Sequence, residues 1–228
     1  MRFDIITIFP KIFDSYFNES IIKRAREKKL IDIKIWDLRD FTKDTHHKVD
    51  DKPFGGGPGM VMKIEPLSRV LKKVSLGGSA AKLVILLDAG GKQFDSKMAS
   101  AWPKKYNHII LIAGRYEGVD ERIKNVVKTY GLQLMAVSIG PYVLTGGEIA
   151  AMAVVDAMAR HIPGVLGKSK SLEEKRYGIG VPVYTRPEVF SVRGSAFGGK
   201  NKKYKVPKIL LSGDHKKIEN WRIKHKNA

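Results

Sequence analysis

Arg115, Tyr116 and Glu117 stand between two glycines, Gly114 and Gly118, at the end of the apolar run HIILIA. In open α/β sheets ligands sit outside the carboxyl ends of the strands, so a charged and aromatic triplet at such an exit is placed for chemistry. A capped strand-to-helix turn accounts for Gly118, and for Asp120 and Glu121 at a helix start, but not for the triplet. A second apolar run ends in SIGPYVLTGGE. Here apolar residues continue past the strand's end through Tyr142, Val143 and Leu144, and only then comes Thr145-Gly146-Gly147-Glu148. Such a loop offers backbone groups to an adenine edge, with Ile139, Tyr142 and Leu144 against the ring. The competing reading is a buried loop satisfied by its own chain.

Other stretches carry weaker signals. VDDKPFGGGPGM sets Asp50 and Asp51 before Gly55, Gly56 and Gly57, which let a backbone approach a ligand closely; an ordinary surface loop fits equally well. His46 and His47 adjoin the aspartates, but neighbouring side chains point apart in extended chain, so no metal site is expected. Asp156 and Arg160 are four apart, the spacing of a helix ion pair. Arg160 also ends an apolar helix, from where an arginine reaches a ligand. GVLGKS fails as a phosphate-binding loop, because Ile162 stands where the first glycine is required and a helix precedes it. No G-x-G-x-x-G follows the first strand, which excludes the usual dinucleotide fingerprint.

The elements that must position these residues follow from periodicity. Strands are expected over residues 2–9, 31–36, 83–88, 108–113 and 132–139, and helices over 11–28, 65–74, 95–101, 119–130, 147–161 and 214–225. Pro10 ends the first strand, Ala89-Gly90-Gly91 the third, and Pro103 closes the helix before it. Asp214 is the expected N-cap of the last helix. Strands alternating with helices, each strand nearly all apolar, predict a mostly parallel α/β sheet with helices on both faces. The helix 147–161 is apolar almost all round and is expected to be buried, in part against a second subunit. Three regions result: an α/β domain over 1–167, a basic mobile linker over 168–207, and a short helical segment over 208–228.

Composition narrows the function. The 228 residues carry 42 Lys and Arg against 23 Asp and Glu, a formal charge of +19. From Lys168 onward 16 basic face 5 acidic residues, which favours a nucleic-acid partner through counterion release. Without cysteine there is no disulfide, thiolate metal site or cysteine nucleophile. The start MRFDIITIFP predicts no signal peptide, and no run approaches a membrane span, so a cytoplasmic protein is expected.

The segments TIFP, DLRDFT, VDDKPFGGGPGM, AGRYEGVDERI, SIGPYVLTGGE, DAMARHIPGVLG, VYTRPEVF and LLSGDHKKIENWR, in that order and over nearly the whole chain, closely resemble the bacterial tRNA (guanine-N1)-methyltransferases, the TrmD family of the SPOUT superfamily. The resemblance implies a trefoil knot within about residues 82–167, a topology no physical reading of sequence would propose. It implies S-adenosylmethionine in the knot cleft, against Leu87, Gly114, Tyr116, Glu117, Gly118 and the loop Ser138, Ile139, Gly140, Pro141, Tyr142, Val143, Leu144, Gly146 and Gly147. It further implies an obligate homodimer with active sites shared between subunits, and the guanine 3′ of the tRNA anticodon as substrate. RNA contacts would fall on Asp50, Asp51, Gly55, Gly56, Gly57, Lys168 and Arg186. A magnesium dependence comes with the family as well.

The reaction needs a base near guanine N1 and a cation near O6, where negative charge develops. Arg160 matches the family's arginine for the second role. The family's base is an aspartate in a run like S-A-E-E-D; here the run reads Ser171-Leu172-Glu173-Glu174-Lys175, and a lysine of ordinary pKa is protonated. Glu174 is the preferred substitute and Glu173 the alternative. Pro141 stands where the family has Asp, and Asp88-Ala89 where it has Ser-Pro. The resemblance also implies further helices beyond the Trp221 region, so 208–228 is expected to be a shortened tRNA-binding segment. Two other readings remain: a cofactor- and RNA-binding homologue without catalysis, favoured by Lys175, and a SPOUT ribose methyltransferase, disfavoured by VDDKPFGGGPGM and YTRPEV.

Overall fold

In the computed structural model, which describes residues 1–76, 81–167, 172, 180–194 and 201–226, the chain divides into two units, Met1–Gly167 and Lys168–Ala228. The first unit runs β1 (Arg2–Thr7), a 3-10 turn (Pro10–Phe13), α1 (Asp14–Phe17), α2 (Ser20–Glu27), β2 (Asp32–Asp37), β3 (Asp50–Asp51), β4 (Val61–Met62) and α3 (Ile64–Ser75). It continues with β5 (Lys82–Gln93), α4 (Ser96–Lys105), β6 (His108–Ala113), α5 (Ile123–Thr129), β7 (Gln133–Ser138) and α6 (Glu148–Ala159). Five strands form one parallel sheet in the order β2-β1-β6-β5-β7.

The apolar runs explain this sheet. β6 is its middle strand and is buried at all six residues. Ile109 and Leu111 join one core with Phe13, Phe17 and Ile22, with Met98 and Trp102 of α4, and with Val154 and Met158 of α6. Ile110 and Ile112 join the opposite core with Leu67, Val70 and Leu71 of α3 and Ile123 and Val127 of α5. Helices therefore cover both faces, and each fully buried Ile or Leu contributes about 2 kcal/mol. Among the described residues no helix is long and apolar enough to cross a membrane.

Several expectations are corrected. β5 does not end at Ala89-Gly90-Gly91; it pairs with Val137 from both Leu87 and Lys92, so Asp88–Gly91 forms a bulge and the strand resumes to Gln93. Gly91 permits this, because a Cβ there would lie 2.4 Å from the Val137 amide nitrogen. The helix expected over 11–28 is broken into the 3-10 turn, α1 and α2, with Ser20 at φ 48°. Pro103 sits inside α4 rather than closing it, since a proline in the last turn forfeits only one backbone bond. α5 begins at Ile123, not 119, because Val119 bridges Met62 and the Asp120 amide donates to the Met62 carbonyl.

In the second unit, β8 (Val189–Arg193) and β9 (Asn201–Lys205) form an antiparallel hairpin inside the span read as linker. A 3-10 turn (Lys208–Leu211) and α7 (His215–Lys224) follow, with the Asp214 side chain accepting from the Lys217 amide at 3.1 Å as N-cap.

Candidate active site

The bulge of β5 and the carboxyl ends of β6 and β7 meet at a cavity of about 180 Å³. Leu87 comes from β5, Gly114, Tyr116, Glu117 and Gly118 from the turn after β6, and Ser138, Ile139, Tyr142, Val143, Leu144, Gly146 and Gly147 from the segment after β7. Stretches far apart in sequence thus line one space. The enclosed volume is below the roughly 300 Å³ of a small-molecule pocket. A ligand of that size would extend into the mouth, where Tyr142 and Val143 are exposed.

Gly140 and Pro141, expected at the cofactor, do not line the cavity. They shape its wall instead. The Ser138 hydroxyl donates to the Gly140 carbonyl at 2.8 Å and accepts from the Gly140 amide at 3.3 Å, which closes a tight turn. A Cβ on Gly140 would stand 2.2 Å from the Tyr142 ring, so only glycine leaves Tyr142 its place.

A buried network beneath the cavity escaped the sequence reading. Glu148, 2% exposed, opens α6, where the helix dipole favours a negative charge. Its Oε2 accepts from Arg115 Nε at 3.0 Å, and its Oε1 accepts from the Thr7 hydroxyl at 2.9 Å. A second Arg115 nitrogen donates to the Thr145 carbonyl at 3.0 Å, and the guanidinium lies 4.6 Å from the centroid of the Phe9 ring. One arginine therefore ties the ends of β1 and β6 to the loop after β7. The glycines of TGGE serve it: a Cβ at Gly146 would strike Arg115 Nε at 2.1 Å. At Gly147 a Cβ would lie 2.8 Å from Ala113 Cα, and the Gly147 amide donates to the Gly114 carbonyl at 2.8 Å.

The loop between β3 and β4 docks on the same turn. The Glu117 amide donates to the Met60 carbonyl at 3.0 Å, and the Met62 amide to the Gly118 carbonyl at 2.9 Å. Tyr116 is held at φ 59°, a left-handed conformation unusual for a bulky residue and typical of functional sites. Burial pushes the Tyr116 phenol above its usual pKa, and the nearby Asp50 carboxylate, which accepts from it, pushes it further. Asp50 thus reaches Tyr116, but it stays outside the cavity lining, as do Asp51, Gly55, Gly56 and Gly57, the glycines all at positive φ with open space around them.

Arg160 is not brought to this cavity's floor. It caps the far end of α6, which at 1.5 Å per residue lies about 18 Å along the axis from Gly147. On the same helix Asp156 accepts from the Tyr16 hydroxyl at 2.9 Å, and Tyr16 is pushed up to about 12 by burial and then by that carboxylate. Glu174 and Lys168, with Glu173 and Lys175, lie outside the described residues. Arg186 belongs to the second unit, where it lines a separate cavity of about 480 Å³. Among the described residues no cluster of three or more His, Asp or Glu could hold a metal.

Sheet and cavity together define an α/β protein of the open parallel-sheet class, with its cavity where such sheets place their ligands. The comparisons narrow this to one family. The family model described as tRNA (Guanine-1)-methyltransferase TrmD matches residues 1–228, and the chain belongs to that family. The tRNA (guanine-N(1)-)-methyltransferase of Dictyoglomus turgidum is 48% identical over 227 residues, covering 98% of this chain and 84% of the relative. Those of Carboxydothermus hydrogenoformans and Clostridioides difficile are each 44% identical, covering 98% and 97% of this chain and 82% and 90% of theirs.

Proposed function

We propose that this chain is an enzyme that transfers the methyl group of S-adenosylmethionine to N1 of a tRNA guanine, the one 3′ of the anticodon, and works in the cytoplasm. The observation that carries the reading is the cavity itself, in which the turn AGRYEGVD and the loop SIGPYVLTGGE converge. Its lining fits an adenosyl group. Leu87, Ile139 and Leu144 offer apolar surface, the loop backbone offers donors and acceptors, and Glu117 supplies a carboxylate for hydroxyls. When bound, S-adenosylmethionine supplies an electrophilic sulfonium methyl. The chain's own residues must orient guanine N1 toward it, take the N1 proton and stabilise charge on O6.

Glu174 takes the proton and Arg160 faces O6. Because Arg160 stands at the opposite end of α6 from the cavity, it serves the cavity of a second subunit. An exposed apolar strip suits such an interface: Phe9, Ile12, Tyr16 and Ile149 are 41%, 38%, 41% and 58% exposed. The bond from Gly147 to Gly114 supports a knot, since the chain leaving β7 crosses the end of β5 to reach β6. The Gly-rich loop with Asp50 and Asp51, and the basic second unit with Lys168 and Arg186, would hold the RNA.

The test is methyl transfer from labelled S-adenosylmethionine to unfractionated tRNA, with nucleoside analysis of the product and a magnesium titration. N1-methylguanosine is expected. Binding of cofactor and tRNA without product would overturn the catalytic reading, and ribose methylation would move the chain to another chemistry. Glu174→Gln should lower the single-turnover rate about 10²-fold with cofactor binding intact. Arg160→Ala and a cavity-filling Leu87→Trp should each be inactive alone, while their mixture regains about a quarter of the activity through hybrid dimers.

A further inference from the structure

The hairpin of the second unit is exposed on both faces at all ten residues of β8 and β9. Four of those ten are Lys or Arg and none is acidic. Its register sorts them. Phe190 pairs with Tyr204 and Val192 with Lys202 on one face, while Val189, Ser191 and Arg193 pair with Lys205, Lys203 and Asn201 on the other. An isolated two-stranded hairpin is marginal in water, and this one leaves an aromatic pair in solvent, with Phe190 58% and Tyr204 47% exposed.

The aromatic pair continues into a cavity of about 330 Å³, also lined by Tyr184, Arg186, Glu188 and Lys205. Three aromatic rings, two cations and one carboxylate around a space of that size make a distinctive set. A base stacks on aromatic faces, its phosphates meet Arg and Lys, and its exocyclic N–H groups need an acceptor. A purely apolar peptide would leave Arg186 and Lys205 desolvated, and an acidic peptide would leave the rings without partners.

We propose that this cavity binds an unpaired nucleobase of the tRNA substrate: Phe190 and Tyr204 stack on the base, Glu188 accepts from its edge, and Arg186 and Lys205 hold the adjoining phosphates. It is a second RNA contact, on a different unit from the methyl-transfer cavity, and rests on the reading of the chain as a tRNA methyltransferase. Its effect falls on RNA affinity and not on the chemical step.

The experiment measures tRNA binding and steady-state methylation with the full chain. Tyr204→Ser and Phe190→Ser should each weaken tRNA binding about tenfold, with the rate at saturating tRNA within twofold of wild type and S-adenosylmethionine binding unchanged. Tyr204→Phe keeps the ring and should bind like wild type, which separates stacking from unfolding of the hairpin. In Tyr204→Trp, the added emission relative to wild type should be quenched by tRNA and not by heparin, a polyanion without bases. Wild-type affinity in both serine variants overturns the proposal, as does equal quenching by heparin. Active wild-type enzyme beside unaffected serine variants removes this site alone. Inactive wild type whose RNA binding still depends on the rings removes the methyltransferase reading and keeps the site.

Discussion

Among the described residues each edge of the central sheet buries one carboxylate against an arginine, and the cavity described above lies at the carboxyl edge. At the amino edge Asp4 is fully buried and accepts from Arg2, from Trp36 Nε1 at 2.7 Å and from His108. All of these side chains stand on β1, β2 or β6, and together they saturate the carboxylate. At the carboxyl edge Glu148 is shared between Thr7 and Arg115, and Arg115 passes the restraint on to the Thr145 carbonyl of a loop. A buried ion pair is therefore not by itself the mark of a site. What separates the two is where the arginine leads: into the sheet at Asp4, out to the loops over the cavity at Glu148.

Breaking each pair sharpens the difference. Glu148→Ala strands Arg115 and is expected to cost about 3–5 kcal/mol of stability in urea titration. It should also weaken S-adenosylmethionine binding at least tenfold by calorimetry, and an unaltered cofactor affinity would erase the difference between the two edges. Asp4→Asn should cost about 2–3 kcal/mol, since one charge-assisted bond to Arg2 and one to His108 are weakened. Cofactor affinity should stay within twofold.

A pH titration follows from the same carboxylate. Burial pushes Asp4 up, but the bonds from His108, Arg2 and Trp36 outweigh it and hold the group below its ordinary value. A depressed carboxylate contributes stability above its unfolded pKa of about 3.9, and this is lost as pH falls from there through the folded value. Urea midpoints of the wild type should therefore drop below about pH 4 more steeply than those of Asp4→Asn. The smallest effect is expected for Tyr116→Phe, which removes the bond to Asp50 that helps hold the glycine loop. A loss of about 1 kcal/mol should weaken cofactor binding about fivefold.

The sheet was legible in the sequence because its strands are apolar runs, and a doubly covered parallel sheet requires such runs. Three features were not. The resumption of β5 at Lys92 and Gln93 has no apolar signal, because bulge and continuation are set by pairing with Val137. The late start of α5 results from a backbone bridge between Val119 and Met62, which no local propensity encodes. The strands β8 and β9 lack alternation because neither of their faces is buried. In the cavity, the glycines and aromatic residues of RYEG and PYVLTGGE stood out as types misplaced for a plain turn. Glu148 did not, since its partner Thr7 is 141 residues away and a glutamate at a helix start already has an ordinary explanation.

The middle position of β6 has a consequence for motion. Its backbone is paired on both sides, with β1 and with β5, and runs directly into Gly114. Amides from Ile109 to Ala113 should exchange with deuterium only through global unfolding, while those of the two loops above exchange through local opening. Ligand entry and release then become movements of the roof over a floor that stays fixed for as long as the protein stays folded.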